Sequence, residues 1–125
     1  MSTDTFPKAY YGKAATKITS TAATAIIAVS SVSTGRGSAV TPVEVLIANE
    51  DGSNACAYTL EYFDGTISYR IAKASLAADT NVKLNFTGLV LTETEELRIT
   101  AANANDLVCI VSFLQDLGGG GNDAG

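Results

Sequence analysis

The strongest constraint on this chain is a period of two in its side chains, repeated in run after run. Val43, Val45 and Ile47 alternate with Glu44, Leu46 and Ala48. Cys56, Tyr58, Leu60 and Tyr62 share one face of the next run, with Ala57, Thr59 and Glu61 on the other. Ile67, Tyr69 and Ile71 then oppose Ser68, Arg70 and Ala72, and Leu97, Ile99 and Ala101 alternate with Arg98 and Thr100. Such alternation puts successive side chains on opposite faces of a pleated strand, so one face of each run can be buried. The last run, Leu107 to Leu114, is apolar on both faces except for Ser112, as suits a central or interface strand.

Turn chemistry separates the runs. Asp64-Gly65 stands between Phe63 and Thr66 and predicts a tight hairpin of type I′. Asn49 to Asn54 contains an Asp-Gly pair that favours positive φ, and Asn103-Ala104-Asn105-Asp106 makes the last connection. Before residue 40 the pattern is looser. Ala9-Tyr10-Tyr11-Gly12 begins an extended arm, Ala25 to Val29 reads as a strand, and Thr34 to Ser38 reads as a flexible loop. At most one helical turn is expected in Ala72–Asp79, because so short a helix is marginal alone. The fold expected is all-β: an antiparallel β-sandwich, jelly-roll-like, of about eight short strands. Residues 1–17 form an N-terminal arm, 18–117 the sandwich, and 118–125 (GGGGNDAG) a flexible tail.

Absences narrow the function. The chain has no histidine, which removes the usual general base near neutral pH and the commonest transition-metal ligand. Two cysteines, Cys56 and Cys109, are too few for a structural zinc site within one chain. Each sits in an apolar run, and without a secretory signal the expectation is two buried, reduced thiols. Acids outnumber bases 13 to 8, for a net charge of −5, and the bases are scattered, which argues against nucleic-acid binding. No apolar run reaches the roughly 20 residues of a membrane-spanning helix, so no membrane partner is expected. No cofactor is implied. An enzyme would have to work with carboxylates, Lys or Tyr, and the expectation is that the chain is not one.

Candidate chemistry is sparse. Glu93, Glu95 and Glu96 offer oxygens to calcium but lack the spaced Asp, Asn and Gly of a calcium loop, so a solvated turn is the better reading. Gly35-Arg36-Gly37 lacks the Gly-Lys-Ser/Thr ending of a phosphate loop, leaving Arg36 as an exposed contact on a loop. The tyrosines, with Asn49 and Asn54 in a loop, could serve a sugar, although Tyr58 and Tyr62 share a face with Leu60 and suit a core or interface. Partner contacts are instead expected from Lys8, Tyr10, Tyr11 and Lys13 on the arm, from Arg36, and from Val108 and Ile110 on the two-sided strand.

From Ala25 to Leu117 the order of features resembles small β-sandwich virion proteins of tailed bacteriophages, of the capsid decoration (cement) or neck and fibre type. The likeness is carried by PVEVLIAN (42–49), the hairpin at Asp64-Gly65, and residues 74–117, where Gly88, Leu89, Leu91, Glu96, Leu97, Ile99 and Ala102 fall where the family pattern would place them. The chain departs from that pattern in its acidic turn, which reads Thr94-Glu95-Glu96 where many related segments carry Gly-Asp. The resemblance implies a decoration protein that binds and stabilises an icosahedral head, assembled in the host cytoplasm and located in the virion. Its partners would be the major capsid protein or other virion proteins and further copies of itself, as a trimer. The alternatives are a neck, collar or tail-fibre component, or a carbohydrate-binding β-sandwich module outside viruses.

Overall fold

The computed structural model describes residues 9–29 and 39–116. Lys8, Arg36, the first eight residues of the expected arm and the Gly-rich tail lie outside the described residues. Eight strands are present among those described: β1 (Ala9–Lys17), β2 (Thr24–Ala28), β3 (Ala39–Asn49), β4 (Cys56–Phe63), β5 (Ser68–Leu76), β6 (Asn81–Asn85), β7 (Glu96–Ala101) and β8 (Leu107–Asp116). They form two antiparallel sheets of four, ordered β1-β8-β3-β6 and β2-β7-β4-β5. The first strand therefore pairs with the last, the second with the seventh, the third with the sixth and the fourth with the fifth. That is the wrapping of a double-sheet jelly roll.

The inward residues are those the alternation marks. Val45, Ile47, Leu107, Cys109, Val111 and Phe113 from one sheet meet Cys56, Tyr58, Leu60, Leu97, Ile99 and Ala101 from the other, all buried. Ile18, Val40, Leu76 and Leu91 close the margins of this layer. Val40 and Leu91 exchange two backbone hydrogen bonds, of 2.9 and 2.7 Å, across an isolated bridge. Cys56 and Cys109 are both buried free thiols.

Within the expected arm, Ala9–Lys17 is an edge strand paired residue for residue with β8, from Ala9 opposite Asp116 to Lys17 opposite Val108. The Asp64-Gly65 turn is not type I′, which needs positive φ at both residues. Gly65 has φ +101° and Asp64 does not share the positive region. Instead the Asp64 carboxylate accepts from the Thr66 and Ile67 amides (2.8 and 2.7 Å), and the Asp64 amide donates to the Ile67 carbonyl at 3.0 Å. The Asp side chain thus mimics a backbone turn and makes the loop four residues long. β5 continues as strand to Leu76 and is followed by one tight turn at 77–80, within the expected limit of one helical turn in Ala72–Asp79. Pairing with β4 overrides the helical propensity of Ala72 to Ala74.

Candidate interaction surface

A sandwich needs one apolar face per sheet, and the second face of an antiparallel sheet is normally wetted. The outward face of β2-β7-β4-β5 follows that rule. Arg98 donates to Glu96 at 2.6 Å, its guanidinium lies 3.5 Å from the centre of the Phe63 ring, and Glu61 stands opposite Arg70. Opposite charges in neighbouring rows suit a face turned to water.

The outward face of β1-β8-β3-β6 breaks the rule. Its strand registers stack four cross-strand rows. Tyr11, Leu114 and Thr41 make the first; Lys13, Ser112, Glu44 and Asn85 the second. Ala15, Ile110, Leu46 and Lys83 make the third; Lys17, Val108, Ala48 and Asn81 the fourth. The centre of the last two rows is thus an apolar patch of Ile110, Val108, Leu46, Ala48 and Ala15, with Leu114 set apart from it by Ser112 and Glu44. Lysines mark its two sides, Lys13 and Lys17 on β1 and Lys83 on β6. Lys17 reaches Glu50 at 3.0 Å, a half-exposed pair of little energetic weight. Tyr11 is 75% exposed at one corner. Strand and residue spacings make the four rows about 20 Å long and about 14 Å wide, or roughly 500 Å² with a margin added.

Of the residues expected to touch a partner, four meet on this one face: Tyr11, Lys13, Val108 and Ile110. Lys8 and Arg36 lie outside the described residues, and nothing is described of the Tyr10 side chain. Sequence reasoning missed Leu46, Ala48 and Lys83. Leu46 and Ala48 stand opposite Ile110 and Val108, and their apolar character within an otherwise alternating strand was the available signal.

A second exposed apolar cluster lies on the free edge of the other sheet. Ile67, Tyr69 and Ile71 are 52%, 48% and 44% exposed. The Tyr69 ring stacks on half-buried Tyr62 with centroids 6.1 Å apart. Burial pushes the Tyr62 phenol pKa up, helped by Glu95, Asp64 and Tyr69 nearby. Asp64 is held below the usual carboxylate range by the amides of Ile67 and Thr66, with Tyr69 contributing. Thr94 packs so closely over Gly65 that a Cβ there would stand 2.7 Å from its Oγ1, so the loops before β5 and before β7 meet at this end.

The sugar reading loses its loop asparagine. Asn49 is buried, and its amide is engaged with the backbone carbonyls of Asn54, Leu76 and Ala77. Among the described residues, no three of Cys, Asp and Glu gather as a metal site, and no helix is long and apolar enough to cross a membrane.

No protein-family model and no curated protein sequence matches this chain. Solved structures do. A chain from the disulfide-linked pili of Bacillus endospore appendages superposes with a TM-score of 0.52 at 8% identity, covering 93% of this chain and 94% of that one. The coat protein dimer of Tobacco streak virus gives 0.51 at 12% identity, over 87% and 84%. A chain of the acid-stable capsid of Helicobacter pylori bacteriophage KHP30 gives 0.50 at 16% identity, over 86% of each chain. At these identities the likeness establishes a shared fold.

Proposed function

We propose that this chain is a structural protein of a bacteriophage virion, a capsid decoration (cement) protein that stabilises the icosahedral head and catalyses nothing. The observation that carries the reading is the apolar, lysine-flanked outer face of β1-β8-β3-β6. This face plays no part in the sandwich core, and it gathers four of the expected contact residues. Two supports stand beside it. The same fold occurs in a phage capsid structure in a chain of about this length, since equal shares of both chains are covered. The fold also occurs in a plant-virus coat protein.

Magnitude favours a protein that works in many copies. A stable pairwise interface buries about 800 Å² per partner, and the face offers roughly 500 Å². One such contact is weak, whereas many linked contacts on a repeating shell hold by avidity. The chain's partners on this reading are the major capsid protein and further copies of itself.

A pilus subunit is the second reading, favoured by the endospore-appendage match. Disulfide linkage of that kind needs accessible thiols, and both cysteines here are buried. A neck, collar or tail-fibre protein would share the fold but occupy one vertex, so copy number per particle separates it from a decoration protein.

The test is reconstitution on heads that lack the chain. Added protein should coat them at many copies per head and raise the temperature at which they release DNA. Ile110→Glu and Leu46→Glu, each checked for a cooperative melt, should bind at least tenfold more weakly. Unchanged head stability at saturating wild-type protein would defeat the proposal.

A further inference from the structure

Each sheet ends in two edge strands, and three of the four are blunted against further pairing. β2 carries a bulge between Ala25 and Ile27, β5 carries one at Ile71, and β6 is only five residues long. Bulges and shortness are usual ways of closing an exposed edge. β1 has neither. Its nine residues pair with β8 without a register shift, contain no proline, and have no described strand on their other side. The Ile18 amide donates to the Leu107 carbonyl at 2.8 Å, which fixes the phase of the pairing. Hydrogen-bonded and non-bonded pairs alternate in an antiparallel ladder, so Gly12, Ala14 and Thr16 bond to β8. The N–H and C=O groups of Tyr11, Lys13, Ala15 and Lys17 therefore point out of the sheet edge, and all four residues are exposed.

We infer that the β1 edge accepts an extended strand from another protein as the fifth strand of its sheet. The inference rests on the virion reading for the source of that strand, a subunit of the head. Three observations set its chemistry. A row of outward backbone donors and acceptors takes another backbone, and such main-chain bonds give affinity while alternate side chains give specificity. On the inner side Gly12, Ala14 and Thr16 are small and half-buried, and Ala14 packs against the core, so apolar residues fit there. On the outer side the strand passes Lys13, which favours an acid. Lys17 is already paired with Glu50, and Glu44 stands two strands from Lys13, away from the edge, so Lys13 sets this preference. β1 of a second copy does not fit: it contains no acid, and antiparallel self-pairing sets lysine beside lysine. The edge also borders the outer face proposed to meet the head, and a fifth strand widens that face by about 4.8 Å.

The edge is tested with a blocked peptide, Thr-Val-Glu-Val-Glu-Val-Thr, and its counterpart with lysine in place of glutamate, titrated into isotope-labelled protein. The acidic peptide should shift the amides of Tyr11, Lys13, Ala15 and Lys17 and, at saturation, slow their hydrogen exchange about tenfold or more. Ala15→Pro removes an N–H that β8 does not use, so it should melt cooperatively and lose the peptide. Lys13→Glu leaves the backbone edge intact and should reverse the preference between the two peptides. No binding of the acidic peptide, shifts confined to other strands, equal binding by Ala15→Pro, or an unchanged preference in Lys13→Glu would each overturn the inference. Heads separate it from the reading it rests on. Heads coated equally well by wild type and Ala15→Pro overturn the inference and leave the virion role standing. Wild type that takes the acidic peptide at β1 and ignores heads supports the edge and removes the virion role.

Discussion

Asn49 is the polar side chain on which one end of the sandwich depends, and changing it tests the structural reasoning quantitatively. It is 3% exposed at the last residue of β3. Its Nδ2 donates to the carbonyls of Asn54 and Leu76, both at 3.0 Å, with Ala77 at 3.3 Å, and its Oδ1 accepts from the Asp51 amide at 2.9 Å. Asn49→Ala removes four side-chain hydrogen bonds at this buried end and frees the 50–55 loop, a loss of about 2–4 kcal/mol. For a domain of this size that lowers the melting temperature by about 10 °C or more. Asn49→Asp is the sharper perturbation, since an ionised carboxylate only accepts and would face three carbonyl oxygens. Its folded-state pKa must rise above the unfolded value of about 3.9, each unit costing about 1.4 kcal/mol once the pH exceeds it. Below about pH 3.9 the group is protonated in both states and this penalty vanishes; it grows as pH rises and levels off above the folded pKa. Urea unfolding of wild type, Asn49→Ala and Asn49→Asp from about pH 3.5 to 7 measures the difference directly. The Asp variant should be near the Ala variant in acid and fall below it by roughly 3 kcal/mol at neutrality. If Asp and Ala variants track each other at every pH, the assigned hydrogen bonds are wrong.

Gly12 in β1 leaves room for the buried Phe113 ring, and a Cβ there would stand 2.6 Å from Cε1 of that ring. Gly12→Ala should cost about 1–3 kcal/mol by overpacking, read by urea melts, and Phe113→Leu in the same chain should recover part of it. Cys109 has its thiol pushed up to about 12 by burial, so alkylation at pH 8 should be slow in native protein and fast in urea. Asp51 and Asp64 are held low, Asp51 by the amides of Ser53 then Asn54, and Asp64 by those of Ile67 then Thr66. Their stabilisation is present above about pH 4 and lost as pH falls through the lowered values, so Asp51→Asn/Asp64→Asn should flatten the acid limb of the stability curve.

The fold was legible because burial enforces alternation, and bulges interrupt that alternation. β3 carries a bulge at Val43, between Pro42 and Glu44, so Pro42 is buried and Val43 turns outward. β5 bulges at Ile71, opposite the step from Leu60 to Glu61, and as an edge strand it leaves Tyr69 and Ile71 exposed despite their alternation. A bulge adds one residue to one strand and reverses the facing of all that follow, with no signature in a single sequence. The turns were located correctly but not typed, because an Asp side chain can replace a backbone hydrogen bond. The contact face was half legible. Val108 and Ile110 declare themselves in a strand apolar on both sides, whereas Lys13, Leu46 and Lys83 join them only through the order β1-β8-β3-β6, which depends on pairings between residues far apart in the chain, such as Lys13 with Ser112 and Leu46 with Ile110.

Why a chain would keep that face apolar follows from comparing its two outer surfaces. Both sheets have the same strand count, the same antiparallel pairing and the same need to bury one side. Folding therefore does not require Leu46, Val108, Ile110 and Leu114 to be apolar, any more than it requires it of Glu61, Glu96 and Arg98 on the opposite face. Polar residues at those four positions would preserve the core and improve solubility. The β5 edge presents the same imbalance, since Ile67 and Tyr69 expose apolar surface on a strand whose edge is already guarded by Arg70, Lys73 and a bulge. Two apolar outer surfaces that folding does not demand are the surfaces the proposed decoration role would cover.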